Sequence, residues 1–167
     1  ASDSQMAEFP FVKVGNEATY VTAFNGTVTD TASTFKVTSE AEDRYQIVLS
    51  AIGITQPSTL FTDGTWLYEY GINGTELNAT KLYKKNGTLG ETWEEVADGD
   101  TIVGVFSGIG VEVTVPAGIF TVDRVATVEK GTTDTSYIYI SPQAGIVKQE
   151  QRVPGFLLEL ELYEKNF

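Results

Sequence analysis

The sequence predicts an all-β chain folded as a single strongly curved antiparallel sheet or unclosed β-barrel, with at most a short helix. Three observations carry that prediction. First, apolar and polar residues alternate with period two. Val111, Val113 and Val115 are interleaved with Glu112 and Thr114, and Leu158, Leu160 and Leu162 with Glu159 and Glu161. Such alternation marks strands with one buried and one wet face. Second, Asn25-Gly26, Asp63-Gly64, Asn73-Gly74, Asn86-Gly87 and Asp98-Gly99 punctuate the chain. These dipeptides favour the positive φ angles of tight hairpin turns. Third, alternation breaks between Phe120 and Val128, because Val125 takes the parity opposite to Val122 and Val128. A β-bulge near Asp123-Arg124 restores it, and bulges help a sheet to curl. A closed lipocalin-like barrel and a β-sandwich are the alternatives compatible with the same pattern.

Taken in order, residues 1–8 (ASDSQMAE) form a small polar opening expected to be a disordered tail, and residues 9–167 a single β domain. Phe35 and Val37 begin one strand, and Tyr45, Ile47 and Leu49 share a face of the next. Ser39–Arg44 between them is the one helical candidate, short enough to be a turn. Two later runs are apolar on both faces. Thr65–Tyr70 sets Trp66, Tyr68 and Tyr70 against Leu67, and Thr135–Ile140 sets Tyr137 and Tyr139 against Ile138 and Ile140. Strands of that kind call for a second covering layer. Gly131 is expected to turn the chain before Thr135, and roughly ten or eleven strands result at the spacing of a sandwich or barrel.

Composition removes several classes of function. The 167 residues include 23 acidic and 11 basic side chains, no histidine and no cysteine, for a net charge of −12. Disulfides, thiolate nucleophiles, imidazole bases and His/Cys zinc sites are excluded. So large a negative balance argues against nucleic acid and against docking on an anionic membrane leaflet. No run of apolar residues is long enough for a transmembrane helix; the most apolar window, Thr101 to Val115, contains Gly and Glu. The opening suits a processed secreted protein or a trimmed lipoprotein, and equally a cloning boundary.

Three segments occur together in order: Phe9–Thr22 (FPFVKVGNEATYVT), Thr114–Val128 (TVPAGIFTVDRVATV) and Tyr137–Glu150 (YIYISPQAGIVKQE), closed by LLELELYE. They resemble a group of bacterial cell-envelope lipoproteins with a VGNxW opening, a VPAGTF strand start and a YYAPGVGLVK strand-turn-strand. Ala18, followed by Tyr20, stands where that family has its aromatic residue, and Gln143 where it has a small one. The resemblance covers about half the chain. It implies an open half-barrel like that of the LolA/LolB lipoprotein carriers and sorting receptors, at an extracytoplasmic, periplasm-facing or surface location. Leu82–Trp93 (LYKKNGTLGETW) also looks like a degenerate second copy of the opening motif, with Gly90 and Trp93 standing where Gly15 and Ala18 stand.

Candidate sites are few. Trp66, Tyr68 and Tyr70, and Tyr137 with Tyr139, could stack on a sugar or line an apolar cleft, although aromatic residues are also the usual fill of β cores. Trp93 reads as a core anchor. Paired carboxylates are the one catalytic apparatus left at neutral pH, and a glycosidase needs two across a cleft. Glu94 and Glu95 point to opposite faces of a strand, and Glu159 and Glu161 read as solvated surface. Asp98-Gly99-Asp100 falls short of the six to eight oxygens that calcium takes. Four Asn-x-Thr sequons, at Asn25, Asn73, Asn78 and Asn86, read as turn chemistry. The expectation is therefore a non-enzymatic envelope domain without cofactor or metal. It would bind an apolar or glycan ligand, or another envelope protein, and would meet the membrane only through an N-terminal lipid anchor. The alternatives are a structural or adhesive module without a pocket and a carboxylate-based glycoside hydrolase.

Overall fold

The computed structural model describes residues 6–29, 33–51, 53–97 and 99–167. The predicted alternation becomes thirteen strands: β1 (Glu17–Phe24), β2 (Thr27–Val28), β3 (Ser33–Ala41), β4 (Arg44–Ala51), β5 (Ile54–Thr62), β6 (Trp66–Gly71), β7 (Thr80–Lys84), β8 (Thr92–Ala97), β9 (Asp100–Val115), β10 (Gly118–Glu129), β11 (Thr135–Ser141), β12 (Gly145–Val153) and β13 (Phe156–Lys165). A single turn of 3-10 helix, Glu76–Asn78, lies between β6 and β7. Ser39–Arg44 is not helical. It is the end of β3, a turn at Glu42-Asp43 with φ of 51° and 66°, and the start of β4. Two successive positive φ angles match the twist of a two-residue hairpin.

All thirteen strands join one antiparallel sheet in the order β7-β6-β5-β4-β3-β1-β13-β12-β11-β10-β9-β8, with β2 on β1. The sheet is nearly closed and barrel-like, with an unsealed seam where β7 meets β8. Its curl is helped where it was expected to be, because the β9–β10 register shifts between Val122 and Arg124 and again before Val125.

The order divides into two six-stranded meanders, β1 with β3–β7 and β8–β13, joined by the β1–β13 pair. Each opens on the same cradle. The Gly15 amide donates to the Val37 carbonyl and the Val37 amide to the Asn16 carbonyl. In the other half Gly90 donates to Phe106 and Phe106 to Glu91. Gly15 and Gly90 share a left-handed φ, of 97° and 86°, and the residues three further on, Ala18 and Trp93, are both buried. The second copy of the opening motif is thus a second copy of its geometry.

One end of the barrel is sealed. Phe9, Phe11 and Val12 enter the core together with Met6, which is 4% exposed. Packing therefore reaches three residues into the segment expected as a tail, to Met6. The Phe11 amide donates to the Pro142 carbonyl, and the Asn16 side chain donates to the Phe11 carbonyl. At Gly145 (φ +73°) a Cβ would stand 2.8 Å from the Phe11 ring, so both backbone and space require glycine. The Pro116–Gly118 turn closes the same end through the Ala117 amide and the Leu162 carbonyl. The segments FPFVKVGN, VPAG and SPQAG are thus brought together as the plug and its socket.

Candidate functional site

The opposite end is open beside the seam, because the strands there stop early. β6, β7 and β8 have 6, 5 and 6 residues, against 16 and 12 in β9 and β10. The chain between β6 and β7 runs from Ile72 to Ala79 around the 3-10 turn. Beneath it lies a cleft of about 590 Å³. Leu49, Gln56, Ser58, Glu69, Asn73 and Thr80 line it, together with Tyr70, Ile72 and Val96.

Glu69 faces inward for a reason visible in the register. It stands opposite Leu60, which is fully buried and itself opposite the buried Tyr45. Directly opposed residues of an antiparallel pair share a face. The Ser58 hydroxyl donates to Glu69 Oε2 at 3.1 Å and reaches the Tyr70 carbonyl at 3.0 Å. Burial raises the Glu69 pKa above the ordinary glutamate value, against the opposing effect of the Ser58 hydrogen bond. No lysine or arginine lines the cleft among the described residues.

The five aromatic residues singled out from the sequence do not form one site. Trp66 meets Trp93 edge-on across the seam, with ring centroids 4.9 Å apart, under the Lys81 and Lys84 ammonium groups. Tyr68 stacks on Phe61 at 5.0 Å and donates to Asp63 Oδ2 at 3.0 Å. Its pKa is pushed up to about 12 by burial and by Asp63. Tyr70 alone lines the cleft. Tyr137 lies between the guanidinium groups of Arg124 and Arg152, 5.9 and 5.5 Å from its ring centre. Tyr139 donates to Glu150 Oε1 at 2.9 Å beneath Lys148. The second layer expected over these tyrosines is therefore made of charged side chains, not of another sheet.

That outer face holds a closed charge network. Glu150, 4% exposed, accepts from Arg152 and Tyr139, and Lys148 bridges Glu150, Glu159 and Glu161 at 3.5–3.8 Å. Burial opposes ionisation of Glu150, but Arg152, Tyr139 and Lys148 outweigh it and hold the carboxyl below its ordinary range. At the seam the Lys81 amide donates to Glu95 Oε1 at 2.7 Å, a side-chain acceptor standing where a strand carbonyl would complete the ladder. Lys84 pairs with Glu91 at 2.5 Å. Glu94 turns the other way, toward Lys130 at 3.5 Å.

The sequence reading missed the cleft and Glu69. The signal was present in TWLYEY, where Glu69 shares the parity of Leu67, on the side opposite the three aromatics, and that side is the one the fold buries. Of Asp98-Gly99-Asp100, Asp98 lies outside the described residues and Asp100 is exposed. No group of three or more potential metal ligands occurs among the described residues. A single carboxylate, Glu69, lines the cleft among them.

No protein-family profile and no curated protein matches the chain. Solved structures do. One, provisionally named an exported protein with a YmcC-like fold from Bacteroides fragilis NCTC 9343, superposes with a TM-score of 0.59 at 17% identity, over 93% of this chain and 97% of that one. Another, provisionally named a lipoprotein from Parabacteroides distasonis ATCC 8503, gives 0.52 at 12% identity, over 95% and 98%. The chain thus has the fold of these barrel-like proteins, one of them named as exported and the other as a lipoprotein.

Proposed function

We propose that this chain is a non-enzymatic, extracytoplasmic binding domain of the envelope-lipoprotein type, and that its ligand is a hydroxylated molecule of the glycan class seated in the cleft beside the seam. The observation that carries this reading is the lining of that cleft. Gln56, Ser58, Glu69, Asn73 and Thr80 offer hydrogen-bonding groups beside Leu49, Tyr70 and Ile72. A few convergent polar groups among apolar walls is the usual make-up of a small-molecule site. An acyl chain would leave those polar groups unpaired on burial, which costs about 1–3 kcal/mol each. Hydrolysis is disfavoured on the same ground as before: a glycosidase needs two carboxylates, and the described lining has one. The likeness to proteins named as exported and as a lipoprotein supports the location.

Backbone amide NMR with glucose, N-acetylglucosamine and a medium-chain fatty acid tests the reading. Saturable shifts at Gln56, Ser58 and residues 69–74 with a sugar, and none with the fatty acid, are expected. A fatty acid shifting the same amides would overturn the glycan class. Silence from every probe, with glucosamine included in the set, would leave a structural module without a ligand.

A further inference from the structure

Resting on the reading of the cleft as a binding site, we infer that Glu69 makes it selective for hydroxylated ligands that carry a primary ammonium group, amino sugars being the matching class. β5 presents Leu60 and Ser58 to Glu69, and β7 presents Thr80 opposite it; none of these is titratable. Ser58 bonds to Oε2. Among the described residues, Oε1 has no hydrogen-bond or ion-pair partner. The cations that come nearest in sequence and register are engaged elsewhere. Arg44 pairs with Glu76 and lies over Phe61, while Lys81 lies over Trp66.

Glu69 therefore contrasts with Glu150, which is screened from solvent but held by Arg152, Lys148 and Tyr139. Glu69 has been partly withdrawn from water without receiving a countercharge, in a chain of net charge −12. A ligand ammonium supplies both the missing charge and the missing donor, and such charge-assisted hydrogen bonds are about twice as strong as neutral ones. Gln56, Asn73 and Thr80 lie within the same cleft and can serve the hydroxyls beside the amine. A neutral amide in place of the amine keeps a donor but loses the charge.

Glucosamine, N-acetylglucosamine and glucose separate these contributions, with amide shifts of Gln56, Ser58 and residues 69–74 as the readout. At a pH where the amine is protonated, glucosamine is expected to bind about tenfold tighter than the other two, equivalent to about 1.4 kcal/mol. In Glu69→Gln the three sugars should bind alike. Acidifying the wild-type protein through the Glu69 titration should weaken glucosamine alone, an arm that decides the matter if the variant does not fold. Equal affinities in the wild type, or a preference for glucosamine that survives Glu69→Gln, would overturn the inference. If the neutral sugars bind as well as glucosamine, the glycan reading stands without it; if none of the three binds, both fall.

Discussion

The two meanders repeat one plan, and the difference between them shows how the cleft beside the seam arises. Both open on a glycine cradle, and both place fully buried residues seven apart around a turn: Leu60 and Leu67 in the first half, Ile140 and Val147 in the second. Two residues beyond the second of each pair stand Glu69 and Gln149. In the second half the strands run on, β12 and β13 having 9 and 10 residues. In the first half β6 and β7 stop after 6 and 5, and the space above Glu69 is left to a loop. A framework that is continuous ladder on one side thus becomes a cleft with an acidic wall on the other. Shortening strands at a seam opens such a space without disturbing the sealed end.

The largest expected effect tests whether the two cradles contribute equally. Phe106, beneath Gly90, is fully buried and touches Tyr83, Trp66 and Trp93 around the seam. Its counterpart Val37 is buried opposite Ile47 in the β3–β4 pair, whose register shifts just beyond it. Phe106→Ala should cost about 3–5 kcal/mol. Val37→Ala should cost about 2 kcal/mol, set by the smaller apolar group removed. Urea unfolding followed by far-UV circular dichroism measures both. Equal losses would mean that the aromatic cluster at the seam contributes no more than the β3–β4 core. The outer face of the open end provides the baseline: Leu77 is 99% exposed, and Leu77→Ala should stay within about 0.5 kcal/mol.

Those expectations also mark what could be read from the chain itself. Strand parity was legible, since it depends only on neighbours along the sequence. So was the bulge at Asp123-Arg124, where the parity breaks. The second cradle was legible because Gly90 and Trp93 keep the spacing of Gly15 and Ala18. The fate of the aromatic residues was not. Trp66 finds Trp93 only because the sheet curls its first half round to meet β8. Tyr137 and Tyr139 are covered by Arg124, Lys148 and Arg152, which sit on adjacent strands at registers that local pattern does not fix. Met6 looked like tail because the residues around it are small and polar, yet one apolar side chain near a barrel mouth is enough to continue the plug.

An intermediate effect is expected on the outer face of the second half. Glu150→Gln removes the charge on which Arg152 and Lys148 converge while keeping the side-chain shape. Loss of charged hydrogen bonds at a buried position should cost about 1–3 kcal/mol at neutral pH. The pKa of Glu150 is lowered in the folded protein, so its contribution is present above the unfolded value and fades as pH falls through the folded one. The deficit of the variant should therefore shrink on acidification below about pH 4. A deficit that is the same at neutral and acid pH would show that the network acts through packing alone.

Glu69→Gln should have a small effect, and of opposite sign to those of Phe106→Ala, Val37→Ala and Glu150→Gln. It gives the first half an amide at the position where the second half has Gln149, and it retains an oxygen to accept from Ser58. Because burial raises the Glu69 pKa, the folded state binds the proton more tightly than the unfolded chain. Folding stability then falls as pH rises from the unfolded value through the folded one. Replacing the carboxylate removes that loss. The variant should be more stable than the wild type at neutral pH, by less than about 1 kcal/mol for a group still partly in contact with water. The advantage should vanish below the unfolded pKa, where the wild-type carboxyl is protonated in both states. Paired urea titrations at neutral and acid pH measure the difference. A variant less stable than the wild type at neutral pH would mean that Glu69 already has a favourable partner inside the protein, and that the cleft does not present an uncompensated charge.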